Sequence, residues 1–162
     1  MPASPDDLFR RFDELGISTR TFEHPPLRTV EDGRLHWREI PGGHCKNLYL
    51  RDAKKRNWLV VAPFDRELDL KRLAAGIGAG RLSFGRPERL MQYLGVEPGA
   101  VTPFALINDS EARVTVVLDQ ALLALSPLNF HPLVNTRTTA ISPEDLLVFL
   151  RAGGHEPRIL PL

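Results

Sequence analysis

A lysine follows closely on a pair of glycines in Pro41-Gly42-Gly43-His44-Cys45-Lys46-Asn47. Glycine lets backbone N–H groups approach a ligand and stabilise a developing oxyanion, and a lysine entering a strand after such a turn can set a compact charge beside an ester or a phosphate. The bland alternative is a solvated lysine, because charged side chains are mostly exposed. Cys45 offers a rival chemistry, a thiol nucleophile activated by His44 or by the remote His131. On a strand Cys45 and Lys46 point to opposite faces, so they compete for one pocket, and a buried inert thiol is the ordinary outcome. His131, between Phe130 and Pro132, reads by itself as a histidine satisfied within the fold.

Metal chemistry would need several of His24, His36, His44, Cys45, His131 and His155 to converge, and no HExxH or CxxC spacing is present. No metal and no other cofactor is expected. Gly76-Ile77-Gly78-Ala79-Gly80 lacks the spacing and the preceding strand of a dinucleotide fingerprint, and there is no P-loop. Small basic groups at Lys54-Lys55-Arg56, at Lys71-Arg72, and at Arg86 with Arg89 could meet phosphates. Most such groups are solvated faces.

These residues need a scaffold, and the chain bounds it. With 162 residues, 43% of them hydrophobic, one core is affordable and two ordinary domains are not, so one domain over 1–162 is expected. A net charge of +1 excludes a protein that coats nucleic acid, leaving only local RNA contacts. One cysteine precludes an internal disulfide, and no long apolar run or signal segment appears. A cytoplasmic protein without a membrane partner is the expectation.

Ser4-Pro5-Asp6-Asp7 opens a helix that buries Leu8, Phe9, Phe12 and Leu15 and stops at Gly16. A strand over 18–23 ends at His24-Pro25-Pro26, and a short helix from about Thr29 follows. Strands at 48–51 and 58–61 read as a hairpin, and 69–75 and 87–94 as two helices. Strands at 104–107 and 114–118 around Asn108-Asp109-Ser110-Glu111 suggest a second hairpin. Further strands are expected at 130–134, 138–141 and 157–160, with a helix from Ser142-Pro143-Glu144-Asp145. Without regular βαβ alternation, the fold class is mixed α/β (α+β), a mixed sheet with helices packed around it.

Three ordered motifs resemble one family: Gly43-His44-Cys45-Lys46-Asn47-Leu48-Tyr49-Leu50-Arg51-Asp52; Leu94-Gly95-Val96-Glu97-Pro98-Gly99-Ala100-Val101-Thr102-Pro103-Phe104; and Asn129-Phe130-His131-Pro132-Leu133 with Asn135. The chain is similar, from about Asp7 to Pro157, to the prolyl-tRNA synthetase-associated editing domains (YbaK-like), and most to the free-standing ones that deacylate alanyl-tRNA(Pro). The resemblance implies that Lys46 is the catalytic-site lysine, acting by positioning and electrostatics, and that the attacking water is aligned by substrate and backbone groups. Gly43, His44, Asn47, Phe130 and His131 are the substrate-binding candidates beside it. The implied partner is tRNA(Pro) carrying a small amino acid, with transient association with prolyl-tRNA synthetase. Ala100 and Ala105 stand where serine and glycine are common in the group, which bears on the cleft wall. A pocket built for proline cannot exclude the smaller alanine, so a second sieve is useful. Two other readings stay open, a catalytically silent tRNA-binding or synthetase-associated module and a Cys45-dependent hydrolase.

Overall fold

In the computed structural model, residues 1–26 and 40–162 are described. The short helix expected from Thr29, and His36, lie outside them. Helix α1 (Pro5–Leu15) begins with a reciprocal cap, in which the Ser4 hydroxyl accepts from the Asp7 N–H while the Asp7 carboxylate accepts from the Ser4 N–H. Gly16 ends it at a φ of 70°. The other helices are α2 (Leu70–Ile77), capped by Asp69, α3 (Pro87–Leu94) and α4 (Pro143–Ala152), capped by Ser142.

The strands are β1 (Arg20–Glu23), β2 (Gly43–Arg51), β3 (Asn57–Pro63), β4 (Ser83–Phe84), β5 (Val114–Asp119), β6 (Leu128–Phe130), β7 (Arg137–Ile141) and β8 (Arg158–Leu160). They form one mixed sheet in the order β1-β7-β6-β2-β3-β5-β8, with β4 also on β2. β2 and β3 make the expected hairpin, extended back to Cys45 opposite Pro63. β5 lies parallel to β3 and β8, and β6 parallel to β2. The fold is therefore the mixed α/β class read from the sequence.

The second hairpin is not formed. Pro103–Asn108 is a 3-10 helix capped by the Thr102 hydroxyl, and Phe104, Ala105 and Leu106 are all buried. A short apolar run without alternation does not distinguish a strand from a buried turn of helix, and Pro103 at the first position favours the helix. The expected strand at 130–134 is also shorter: β6 ends at Phe130, because Pro132 cannot donate to a ladder and Leu133 adopts a φ of 70°.

Alternation along β2 sorts its side chains onto two faces. Cys45 and Tyr49 join the main core, where Phe104, fully buried, packs edge-on against Phe12, Phe130 and Phe149 at centroid distances of 5.2, 5.5 and 5.7 Å. Leu48 and Leu50 pack on the other face against the smaller cluster with Leu73, Ala74 and Ile77 of α2. Lys46 belongs to this second face, ahead of the part that α2 covers.

Candidate active site

The backbone of β2 creates the opening at which Lys46 sits. His44 C=O accepts from Phe64 N–H at 2.8 Å, so the even-numbered residues turn their peptide groups toward β3. The proline opposite Cys45 fits this, since it has no N–H to give. Odd-numbered residues turn outward: Gly43 N–H donates to Pro127 C=O at 2.8 Å, and Tyr49 C=O accepts from Gly85 N–H at 2.9 Å. On that outer side β6 pairs with Gly43 and His44, and β4 with Leu50 and Arg51. No other strand among the described residues lies against β2 between these two, and the outward N–H and C=O of Asn47 face the notch.

Lys46 stands beside this notch, partly buried. Among the described residues its side chain has no hydrogen bond or ion pair. Parallel pairing of His44 with Asn129 puts both on the Lys46 face, and the same alternation carries on to His131. Asn129 pairs with Ala140, and Phe22 with Thr138, so Thr138 and His24 continue the row across β7 and β1. His24 Nε2 lies 2.7 Å from Thr138 Oγ1, and the His24 and His131 rings are 6.1 Å apart. Lys46, Asn129, His131, Thr138 and His24 thus share one face over four adjacent strands.

The chemistry of His131 follows from its neighbours. Its Nδ1 lies 2.9 Å from the Arg137 carbonyl, which can only accept, so Nδ1 carries the proton and Nε2 the lone pair. Burial pulls its pKa below the ordinary value of 6.5, and nearby His24 acts in the same direction, against the opposing effect of the Arg137 carbonyl. At neutral pH this histidine is a neutral acceptor.

The remaining candidates are placed differently. Phe130 is 2% exposed within the main core, and Asn47 and Cys45 follow the core-facing alternation of β2. The Asn47 carboxamide oxygen is buried without a hydrogen-bond partner. His44 Nε2 meets the Ile40 carbonyl at 3.0 Å, a contact that holds the chain entering β2. Gly43 cannot supply the free N–H expected of the glycine turn, because Pro127 takes it. The glycines serve close approach instead: a Cβ on Gly42, whose φ is 108°, would lie 2.5 Å from the Pro127 oxygen, and one on Gly43 would lie 2.8 Å from Leu125.

Burial pushes the Cys45 thiol up to about 12, with the Asn129 backbone opposing weakly, so it is protonated at neutral pH and a poor nucleophile. Cys45→Ser is expected to keep hydrolytic activity within about threefold, since it removes no group from the Lys46 face. Loss of activity in folded Cys45→Ser with retention in Lys46→Ala would reinstate the thiol mechanism.

The sequence profile of the aminoacyl-tRNA editing domain matches residues 24–149. The chain belongs to the aminoacyl-tRNA editing domain family. It is 40% identical over 159 residues to the Mus musculus prolyl-tRNA synthetase associated domain-containing protein 1, covering 95% of this chain and 94% of that one. It is also 40% identical over 156 residues to the prolyl-tRNA editing protein ProX of Acetoanaerobium sticklandii, covering 96% and 95%. A solved structure described as a candidate trans-editing enzyme for prolyl-tRNA synthetase superposes with a TM-score of 0.70 at 18% identity, covering 100% of this chain and 99% of that one. That likeness concerns the fold.

Several features of this editing domain lie outside what its sequence suggested. Asn129 and Thr138 join the Lys46 face only through strand pairing, and in the sequence His24 stands out only as a strand end and a possible metal ligand. Ala100 and Ala105 are 5% and 0% exposed in the core, so neither reads as an open cleft wall. A cavity of about 730 Å³ between α2 and β8, lined by Arg66, Arg72, Leu73, Leu160 and Leu162 among others, does not include Lys46. Among the described residues no three His, Cys, Asp or Glu side chains converge as a metal site, and no helix is long and apolar enough to cross a membrane.

Proposed function

We propose that this editing domain acts in trans on mischarged tRNA(Pro), hydrolysing the ester of Ala-tRNA(Pro) to alanine and free tRNA. The observation that carries this is a Lys46 side chain without a hydrogen-bond or ion-pair partner among the described residues, beside the gap between β6 and β4 and on one face with a neutral histidine, in a chain of this family. In the reaction a water oxygen adds to the ester carbonyl, the bond to the ribose oxygen breaks, and that oxygen leaves with a proton. Lys46 places positive charge where the carbonyl oxygen or a terminal phosphate becomes or is negative. The outward N–H of Asn47 is a backbone donor for the same oxyanion. His131 Nε2 is an acceptor for the substrate ammonium or the attacking water. The small amino acid is selected by exclusion of proline, which binding differences of about 1–3 kcal/mol per methylene do not achieve alone. A transient association with prolyl-tRNA synthetase fits the names of the relatives.

A basic surface beside the notch supports the RNA half of this reading. Pairing of Arg51 with Ser83 joins the 51–56 turn to the 81–89 segment. Together these segments hold Arg51, Lys54, Lys55, Arg56, Arg81, Arg86 and Arg89 against only Asp52 and Glu88, in a chain whose net charge is +1. Asp52 is already paired with Arg56 at 2.7 Å. Phe84 between them is 64% exposed. The double variant Arg81→Glu/Arg86→Glu is expected to weaken tRNA binding and to lower the slope of log affinity against log salt by about 2. An unchanged slope in a filter-binding salt series would remove this surface from the interface.

Release of labelled amino acid from Ala-tRNA(Pro) and Pro-tRNA(Pro) tests the activity. Cleavage of the alanyl ester with the prolyl ester spared is expected. Binding of both without hydrolysis would favour a silent tRNA-binding module.

A further inference from the structure

We infer that Asn129 is a positioning residue that fixes the register of the Lys46 strand against the His131 strand. This rests on the proposed role of the Lys46 face. Asn129 is 4% exposed, and its amide donates 3.1 Å hydrogen bonds to both the Pro41 and the Gly43 carbonyls. Those carbonyls flank Gly42, the residue pressed against Pro127. With the Gly43 N–H bonded to Pro127, the entry to β2 is strapped to the 127–129 segment from both sides.

Such a strap is needed because β2 and β6 pair over only two residues, Gly43 with Leu128 and His44 with Asn129. The seven-residue ladder with β3 fixes the face of Lys46, but a one-residue slip of β6 against β2 would carry Asn129 and His131 off that face, so the short ladder requires a side-chain lock. The orientation of the amide is forced: reversed, its oxygen would face two carbonyl oxygens. The consequence is that Asn129 Oδ1 is buried with no hydrogen-bond partner. A residue chosen only to fill space would not carry two bridging donors at the cost of an orphaned acceptor.

The test compares Asn129→Ser and Asn129→Asp with wild type and with Phe149→Leu, a core variant on α4 outside the Lys46 face. The measurements are kcat and KM on Ala-tRNA(Pro), thermal midpoint, and hydrogen exchange at the Gly43 amide. Expected for Asn129→Ser is a kcat lowered about 10- to 50-fold, KM within threefold, and Gly43 exchange at least tenfold faster. Asn129→Asp, which keeps the shape but loses both donors, should behave alike. Phe149→Leu should lose thermal stability while keeping kcat and Gly43 protection. If kcat in the Asn129 variants falls no further than in a Phe149→Leu protein of equal midpoint, or if Gly43 exchange is unchanged, the inference is overturned. Should wild type cleave no alanyl ester, the editing reading fails, and Gly43 exchange alone decides whether Asn129 locks the turn.

Discussion

Lys46→Ala is expected to lower kcat/KM for Ala-tRNA(Pro) by about 10²- to 10³-fold, the range measured when one preorganised electrostatic donor is removed from an acyl-transfer site. The protein should stay folded. The Lys46 side chain holds no hydrogen bond or ion pair among the described residues, so its removal leaves no buried partner stranded, and the thermal midpoint should shift by no more than about 2 °C. That combination separates a working lysine from a structural one, because a lysine that braced the fold would lose stability and activity together. Lys46→Arg gives a second reading: a planar five-donor fork replaces a compact ammonium, so a charge-only role would survive the exchange and a role needing close approach in the notch would not. The geometry of a notch between two short paired strands favours the latter, with activity closer to the alanine variant than to wild type. Full activity in folded Lys46→Ala, by release of labelled alanine, would remove the lysine from the mechanism and move the search to His131 and the Asn47 backbone.

The local code of this chain is unusually explicit at its helix ends and nearly silent about strand partners. Ser4 with Asp7, Asp69, and Ser142 followed by Pro143 mark helix starts that the structure places within a residue of the expected positions. Phe104–Ile107 reads as a strand but folds as a 3-10 helix, because an unbroken apolar run has no period to separate a strand from a tight helix. The two-residue strand β4 carries too little sequence to be recognised at all. The site divides the same way. The candidacy of Lys46 rests on a motif contiguous in sequence, and the structure keeps the separation from Cys45 that strand alternation implies. Asn129, Thr138 and His24 depend on which strands pair, an outcome decided by long-range contacts between β1, β7, β6 and β2 that no local pattern specifies. Phe130 illustrates the converse: the motif it shares with His131 makes it a substrate-binding candidate, but alternation on β6 sends it to the core.

His131→Gln carries the second large effect, and its signature lies in pH. The wild-type ring at neutral pH donates through Nδ1 and accepts at Nε2; protonation turns the acceptor into a donor and should shut off whatever contact Nε2 makes. Because burial depresses the pKa below 6.5, the rate should stay level through neutrality and fall only on the acid side of that value. Loss of one hydrogen bond to a charged or reacting group, worth about 1.5–3 kcal/mol, predicts a roughly 10- to 100-fold lower kcat/KM for the variant at pH 7.5. The acid limb should vanish with the ring. Stability carries a linked mark with a definite sign. The unfolded chain takes up the proton more readily than the folded one, so His131 supports the fold above 6.5 and this support is lost as the pH falls through its depressed folded value. Denaturant unfolding at pH 7.5 and pH 5 should therefore show a smaller acid loss in His131→Gln than in wild type. A rate profile that keeps its acid limb in the variant would assign that limb to another group, and His131 would revert to a histidine that merely ties β6 to the Arg137 carbonyl.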